Sequence, residues 1–226
     1  MMIMITKFKK LVVLAFLIVP FGVSAQTVKD ADGNTYKTVT IGKQTWMAEN
    51  LKTKKFSNGD AIPTTSDPKL DIKQENVPIV YQWAYEGDTS KAPQYGRLYT
   101  FYAVVDKRNV CPTGWHVPSQ EEWKEMITFL GGEDVAGKKL KEKGEVYWDR
   151  AYEETNETGF TARAGGYRNG NGSYGGVRSE GYWWTSTEQN EYFAWYWTMV
   201  SGYSTARTDY AVPKENGLSV RCVKNK

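Results

Sequence analysis

From Gly159 onward the chain holds no apolar stripe of helical period. Gly, Tyr, Trp, Ser, Thr and Arg alternate instead in short runs, Gly165–Arg168, Tyr182–Ser186, Ala194–Val200 and Leu218–Val223. Alternation at every second position fits half-buried strands, whereas a helix needs apolar residues every three or four. The second half is therefore expected to form short strands between long loops. Nine Trp and fifteen Tyr bring the aromatic share to 14%, more than a core of this size needs, so some rings are expected at the surface.

One helix is signalled upstream. Ser119 and Glu122 form an S-x-x-E capping box, in which each side chain takes up a free backbone N–H at the helix start. Trp123, Met126, Ile127 and Leu130 follow at i, i+3, i+4 and i+7, and Gly131–Gly132 ends the pattern. This predicts one main amphipathic helix over about 119–130. A shorter helix is expected from Asp134 to Lys143, with Val135 and Leu140 inward and its lysines in water.

Nearer the start, Asp32–Gly33 reads as a turn into a strand carrying Tyr36, Val39 and Ile41, and Gly42–Lys43 turns the chain into Gln44–Met47. The pattern Asp30-x-Asp32-Gly33-Asn34 begins like a calcium loop. Such a loop needs Gly at its sixth place and Glu at its twelfth, where this chain has Thr35 and Ile41. A solvated turn is expected there, and no metal. Lys52 to Pro93 is turn-rich, with a short strand at Ile79–Trp83. Arg97 to Val105 reads as a strand or a short buried helix. No internal repeat is present, so residues 26–226 read as a single α+β domain.

Residues 1–25 read as a secretory signal peptide: Lys7, Lys9 and Lys10, an apolar run from Leu11 to Val19, then Val23-Ser24-Ala25. The run is shorter than the roughly 20 residues a spanning helix needs, so no membrane span is expected after cleavage. Cleavage removes three of the 29 basic residues and no acid, leaving 26 against 26. No basic footprint remains, and nucleic acid is not an expected partner. Export also bears on Cys111 and Cys222, the only two cysteines. A disulfide between them would persist in an oxidising compartment and close a loop of about 110 residues, removing roughly 4–5 kcal/mol of unfolded-state freedom. A reactive or metal-binding pair is the competing reading, without the His partner or C-x-x-C spacing that a metal site uses.

Six segments in order resemble the Fibrobacter succinogenes major paralogous domain: Asp32 to Leu51, Tyr95 to Val104, Cys111 to Trp123, Gly165 to Arg168, Tyr182 to Thr187 and Leu218 to Val223. The resemblance runs from about Val28 to Lys224. It implies an exported bacterial protein, common in Bacteroidetes and Fibrobacter relatives, with a C-type-lectin-like fold related to the formylglycine-generating enzyme, but no settled activity. In C-type-lectin-like folds a disulfide commonly ties the first helix region to the last strand, and Cys111 and Cys222 stand in corresponding places.

Few residues offer catalysis. His116, the only His, sits between Trp115 and Val117, and a structural role is expected, its ring on backbone or on a Trp. Glu121–Glu122 and Glu153–Glu154 are adjacent in sequence, so they do not face one another and read as solvated faces. Gly165–Gly166 and Gly175–Gly176 lack the context of a phosphate loop. The E-P-N, Q-P-D and W-N-D triplets of calcium-dependent sugar binding are missing. No cofactor is expected. The segment from Gly165 to Thr187 mixes rigid rings with small polar residues, the composition of recognition loops. Tyr167, Arg168, Tyr174, Arg178, Tyr182 and Trp184 are the ligand-binding candidates, with one of Trp183 and Trp184 expected inward and the other outward. Trp195 and Trp197 are expected to share a core-facing side.

The expectation is thus an exported, non-catalytic domain, periplasmic, at the cell surface or secreted, that binds a glycan or a protein. The alternatives are a structural envelope component and a divergent enzyme of the formylglycine-generating type.

Overall fold

The computed structural model describes residues 26–73 and 79–226; the expected signal peptide, residues 1–25, lies outside them. In chain order the elements are β1 (Thr27–Lys29), β2 (Thr35–Ile41), β3 (Gln44–Met47), β4 (Gln82–Trp83), α1 (Ala92–Tyr95), β5 (Leu98–Tyr99), α2 (Phe101–Val104), β6 (Trp115–His116), α3 (Gln120–Phe129), α4 (Glu133–Leu140), β7 (Gly165–Arg168), β8 (Tyr174–Val177), β9 (Glu180–Glu188), β10 (Phe193–Val200), β11 (Ala211–Pro213) and β12 (Val223–Lys224). The strands form two five-stranded sheets, ordered β1-β2-β3-β12-β6 and β11-β10-β9-β7-β8, with β4 and β5 as a separate ribbon. Paired strands are antiparallel except β7 beside β9.

This corrects the expected α+β, C-type-lectin-like fold with one main amphipathic helix. Among the described residues strand outweighs helix, 30% against 16%, in two curled sheets, and the helices are all short. A capped helix does start at Ser119, whose side chain accepts from the Glu122 amide while Glu122 reaches back. The helix, however, covers only Gln120–Phe129, about 15 Å at 1.5 Å per residue; its stripe of Trp123, Met126, Ile127 and Leu130 is buried, and Phe129, off that stripe, is exposed. The centre is organised by rings on both faces of β9 and β10 instead.

Two buried clusters lie on opposite sides of β9. Trp184 belongs to one, with Tyr99, Phe101, Tyr196, Cys111 and Cys222. Trp183 belongs to the other, with Trp46, Trp123, Phe160 and Trp197. Period-two alternation holds, but both faces are covered, so neither Trp of the pair faces out; each is 0% exposed. Asn50 joins the two sides. Its Oδ1 accepts from Trp183 Nε1 at 2.8 Å and Arg221 Nη2 at 2.7 Å, and its Nδ2 donates to the Tyr95 carbonyl at 2.8 Å. Arg221 is fully buried, stacked on Phe160, and burial pushes its pKa down to about 9.

Residues 217–224 strap the sheets together. Gly217 exchanges backbone hydrogen bonds with Arg168, and Leu218 with Tyr99. Ser219 donates to Tyr182 and accepts from Trp184, while Val220 and Cys222 accept from Leu51 and Met47. Val223 then pairs with Trp46 and His116. The expected strand Leu218–Val223 is thus spread over several partners, and only Val223–Lys224 forms a strand. The Cys111–Cys222 disulfide is present and ties this strap to the segment ahead of β6.

Lysine placement near α4 differs from expectation. Lys141, one residue beyond the helix, is fully buried, with Nζ 3.2 Å from Glu154 Oε1 and donating to the Val200 and Tyr203 carbonyls. A charge placed there needs these partners, and burial holds its pKa below the usual lysine value despite Glu154. Glu154 therefore does not belong to a solvated face.

Candidate ligand-binding site

Tyr167, Tyr182 and Tyr196 come together on one face of the second sheet. β9 places Tyr182 and Trp184 on the same side, and β10 sets Tyr196 opposite Trp184. β7, parallel to β9, adds Tyr167. The Tyr167 and Tyr182 rings meet edge to face at 5.4 Å, and Tyr182 and Tyr196 lie 5.4 Å apart at 53°. With Asn169, Asn216, Val212 and Leu218 they line a cavity of about 180 Å³. That is below the roughly 300–1,000 Å³ of drug-sized ligand pockets, so it suits one sugar ring or one side chain.

Local glycines permit this arrangement. Tyr167 pairs across the ladder with Gly175, and a Cβ at Gly175 would sit 2.7 Å from the Tyr167 hydroxyl. The ring therefore lies flat over the neighbouring strand. Asn216 is fixed as its Oδ1 accepts from the Gly170 amide at 3.0 Å, and Asn169 Nδ2 donates to Ser173 Oγ at 3.0 Å. Burial, helped by donation to Glu180 Oε2 at 2.9 Å, pushes the Tyr182 phenol well above its usual pKa. Burial and Asp209 also raise that of Tyr196. Both stay protonated at neutral pH, so the pocket offers apolar ring area and uncharged polar groups.

The remaining candidates lie elsewhere. Arg168 is fully buried on the other side of β7; it donates to the Pro68, Leu70 and Asn169 carbonyls and stacks on Trp83 at 4.1 Å. Tyr174 packs beside it, its hydroxyl on the Pro68 carbonyl and its ring against Tyr85. Arg178 is exposed and points toward residues 145–149, donating to the Glu145 carbonyl and lying 3.4 Å from Asp149. Trp184 is sealed, donating to the Tyr99 carbonyl at 2.7 Å and packed on Phe101. Of the six, Tyr167 and Tyr182 alone share the pocket. Tyr196, Asn216, Val212 and Leu218 went unmarked in the sequence. Tyr196 was legible only through the β9–β10 pairing, and Asn216 and Leu218 sit on the strap that no local pattern places. Of Trp195 and Trp197, expected to share a core-facing side, Trp197 is buried and Trp195, beside an irregularity of the β9–β10 ladder, is partly buried.

His116 lies at the edge of the first sheet. Its Nε2 is 3.0 Å from both Glu122 oxygens and its Nδ1 2.7 Å from Asn225 Oδ1. The partners are side chains and not the backbone or a Trp ring, because Glu122 already turns back toward its own helix start. The Glu122 carboxylate raises the His116 pKa. In the early turn, the Asp30 carboxylate accepts from the Asp32 and Asn34 amides, Asn34 Nδ2 and the Tyr36 hydroxyl, so its oxygens are spent on the turn.

Comparison with known proteins gives one family match: the model described as the Fibrobacter succinogenes major domain covers residues 39–224. No curated protein and no solved structure matches.

Proposed function

The chain belongs to the Fibrobacter succinogenes major domain family, and from that premise we propose that it is an exported, non-catalytic domain that binds a glycan or a protein segment at the cell envelope or outside the cell. The pocket of Tyr167, Tyr182 and Tyr196 carries this reading. Rigid rings beside two fixed Asn side chains suit a ligand that offers both an apolar face and hydroxyl or amide groups. The disulfide supports export, since such bonds persist in oxidising compartments, and no helix among the described residues is long and apolar enough to cross a membrane. Both thiols are spent in that bond, and both His116 nitrogens have partners, which supports a binding role over an enzyme built on either.

A glycan-array screen of the oxidised protein tests the proposal. A saturable hit that Tyr167→Ala abolishes, at unchanged melting temperature, is the expected result. Silence for glycans, followed by silence for peptides presented the same way, would sink it in favour of a purely structural component.

A further inference from the structure

We propose a second binding site, independent of the tyrosine pocket, in which Arg97 receives the carboxylate of an acidic sugar. Arg97 is only 9% exposed, yet its guanidinium makes one side-chain hydrogen bond among the described residues, Nη1 donating to Gln82 Oε1 at 2.7 Å. A guanidinium carries five N–H donors. The spare donors are not among the buried polar atoms sealed without a partner; they open instead to two clefts of about 360 Å³ that both include Arg97 in their walls. Other buried arginines differ sharply, since Arg168 and Arg221 each spend their guanidinium on three or more backbone or amide oxygens.

Arg97 is held in place by its surroundings. Gln82 is itself fixed, donating to the Ile62 carbonyl at 3.3 Å. The Arg97 amide donates to the Leu51 carbonyl at 2.9 Å. Gly96 before it has φ +81°, and a Cβ there would meet Asn50 Cβ at 2.5 Å, so the chain passes too close to Asn50 for any other residue. A guanidinium fork preset in this way matches a planar carboxylate better than a point charge does.

The walls choose between the clefts. One includes Asp32, whose Oδ2 accepts from the Lys54 amide and Thr53 Oγ1 and whose Oδ1 is 3.8 Å from Lys55 Nζ; its charge disfavours an anion on that side. No acid lines the other cleft. There Arg97 stands with Lys54, Thr64, Thr89 and Pro68, and the sealed Trp83 closes the wall. Lys54 is exposed and has no ion pair among the described residues. The set supplies a fork for the carboxylate, a second cation, two hydroxyls for ring hydroxyls and, at Pro68, an apolar contact. A hexuronate within an oligosaccharide matches each of these.

Calorimetric titration of the oxidised protein with oligogalacturonate, and with the matching neutral oligosaccharide, tests the site. Acid-dependent binding should weaken at least tenfold from 50 to 500 mM salt or on Lys54→Glu, an exposed position where folding is safe, and at least tenfold in Arg97→Lys, which keeps the charge but loses the fork. Tyr167→Ala should leave it unchanged, which separates this site from the tyrosine pocket. Equal binding of the neutral oligosaccharide, or full affinity in Lys54→Glu, would overturn the proposal. So would equal competition by inorganic sulfate, which marks a bare anion site, or binding confined to peptides with a free C-terminal carboxylate.

Discussion

Tryptophan and tyrosine divide the molecule between them. Eight of the nine Trp are buried, but only five of the fifteen Tyr are. The strand pair β9–β10 shows the division at short range: Trp184 is sealed under α2 and the strap, while Tyr182, two residues back on the same face, opens on the cavity with Tyr167. The aromatic excess is therefore two populations. Indoles fill a core with a nitrogen that needs one acceptor, and phenols line the surface with a hydroxyl that works against water or a ligand. Composition revealed the excess; only the covering of each face tells which population a ring joins.

The division breaks most visibly at Trp184. Trp184→Ala should cost about 3–5 kcal/mol, roughly 10 °C in Tm, read by thermal unfolding. Ligand loss at unchanged Tm would instead place this ring among the surface population. Next in size is the buried cation of the sealed region. Glu154→Gln strands the Lys141 charge and should cost about 3 kcal/mol, and adding Lys141→Met should recover most of it in the double variant. Failure to recover would mean that Lys141 holds its place through the Val200 and Tyr203 carbonyls alone.

At the open rim the effects shrink. The folded pKa of His116 is raised above 6.5, so its share of stability is complete below about pH 6.5 and lost as pH rises through the folded value. The Glu122 pKa is lowered below 4.5, its hydrogen bonds to His116 and Ser119 outweighing burial, so its share is present above pH 4.5 and lost on acidification. With the imidazole 38% exposed, the step is at most about 1 kcal/mol. Denaturation at a series of pH values should show it in the native protein and not in His116→Gln. As this is the only His, a single NMR titration reads its pKa directly. Smallest for stability is Tyr167→Ala, within about 1 kcal/mol, although it removes a wall of the cavity. Gly175→Ala sharpens the test: it leaves every lining side chain intact and weakens binding by pushing the Tyr167 ring off its strand.

Local chemistry was the legible part. The Asp32–Gly33 turn, strands β2 and β3 and the Ser119–Glu122 box all follow from neighbours within a few residues, and the structure has them. The cysteine pairing was readable too, since two cysteines leave one bond to make. What failed was coverage. Alternation assigned Trp183 and Trp184 to opposite faces, but nothing in the sequence says that both faces are roofed, one by α3 and the other by the strap. Lys141 looked like one more solvated lysine because Glu154 and the carbonyls around it arrive from other segments. The single strong helix signal likewise overstated the helix, as propensity reports that a segment will coil and not how much of the core depends on it. The tyrosine pocket was half legible, through Tyr167 and Tyr182. Arg97 was invisible, because an arginine's spare donors are countable only after its partners are known.

The strap has a consequence in time. A chain emerges from synthesis first residue first, and here the segment that pairs with both sheets and carries Cys222 comes after every strand but one. Until residues 217–224 arrive, Tyr99, Arg168, Trp184 and Met47 are paired on one side only, the thiol of Cys111 has nothing to meet, and the indole clusters stand half roofed. Pairings this distant in sequence also form slowly. The fold thus depends on its latest-made segment: a copy ending before residue 217 would keep its local turns and helix caps but would lack the pairings and the disulfide that join the two sheets.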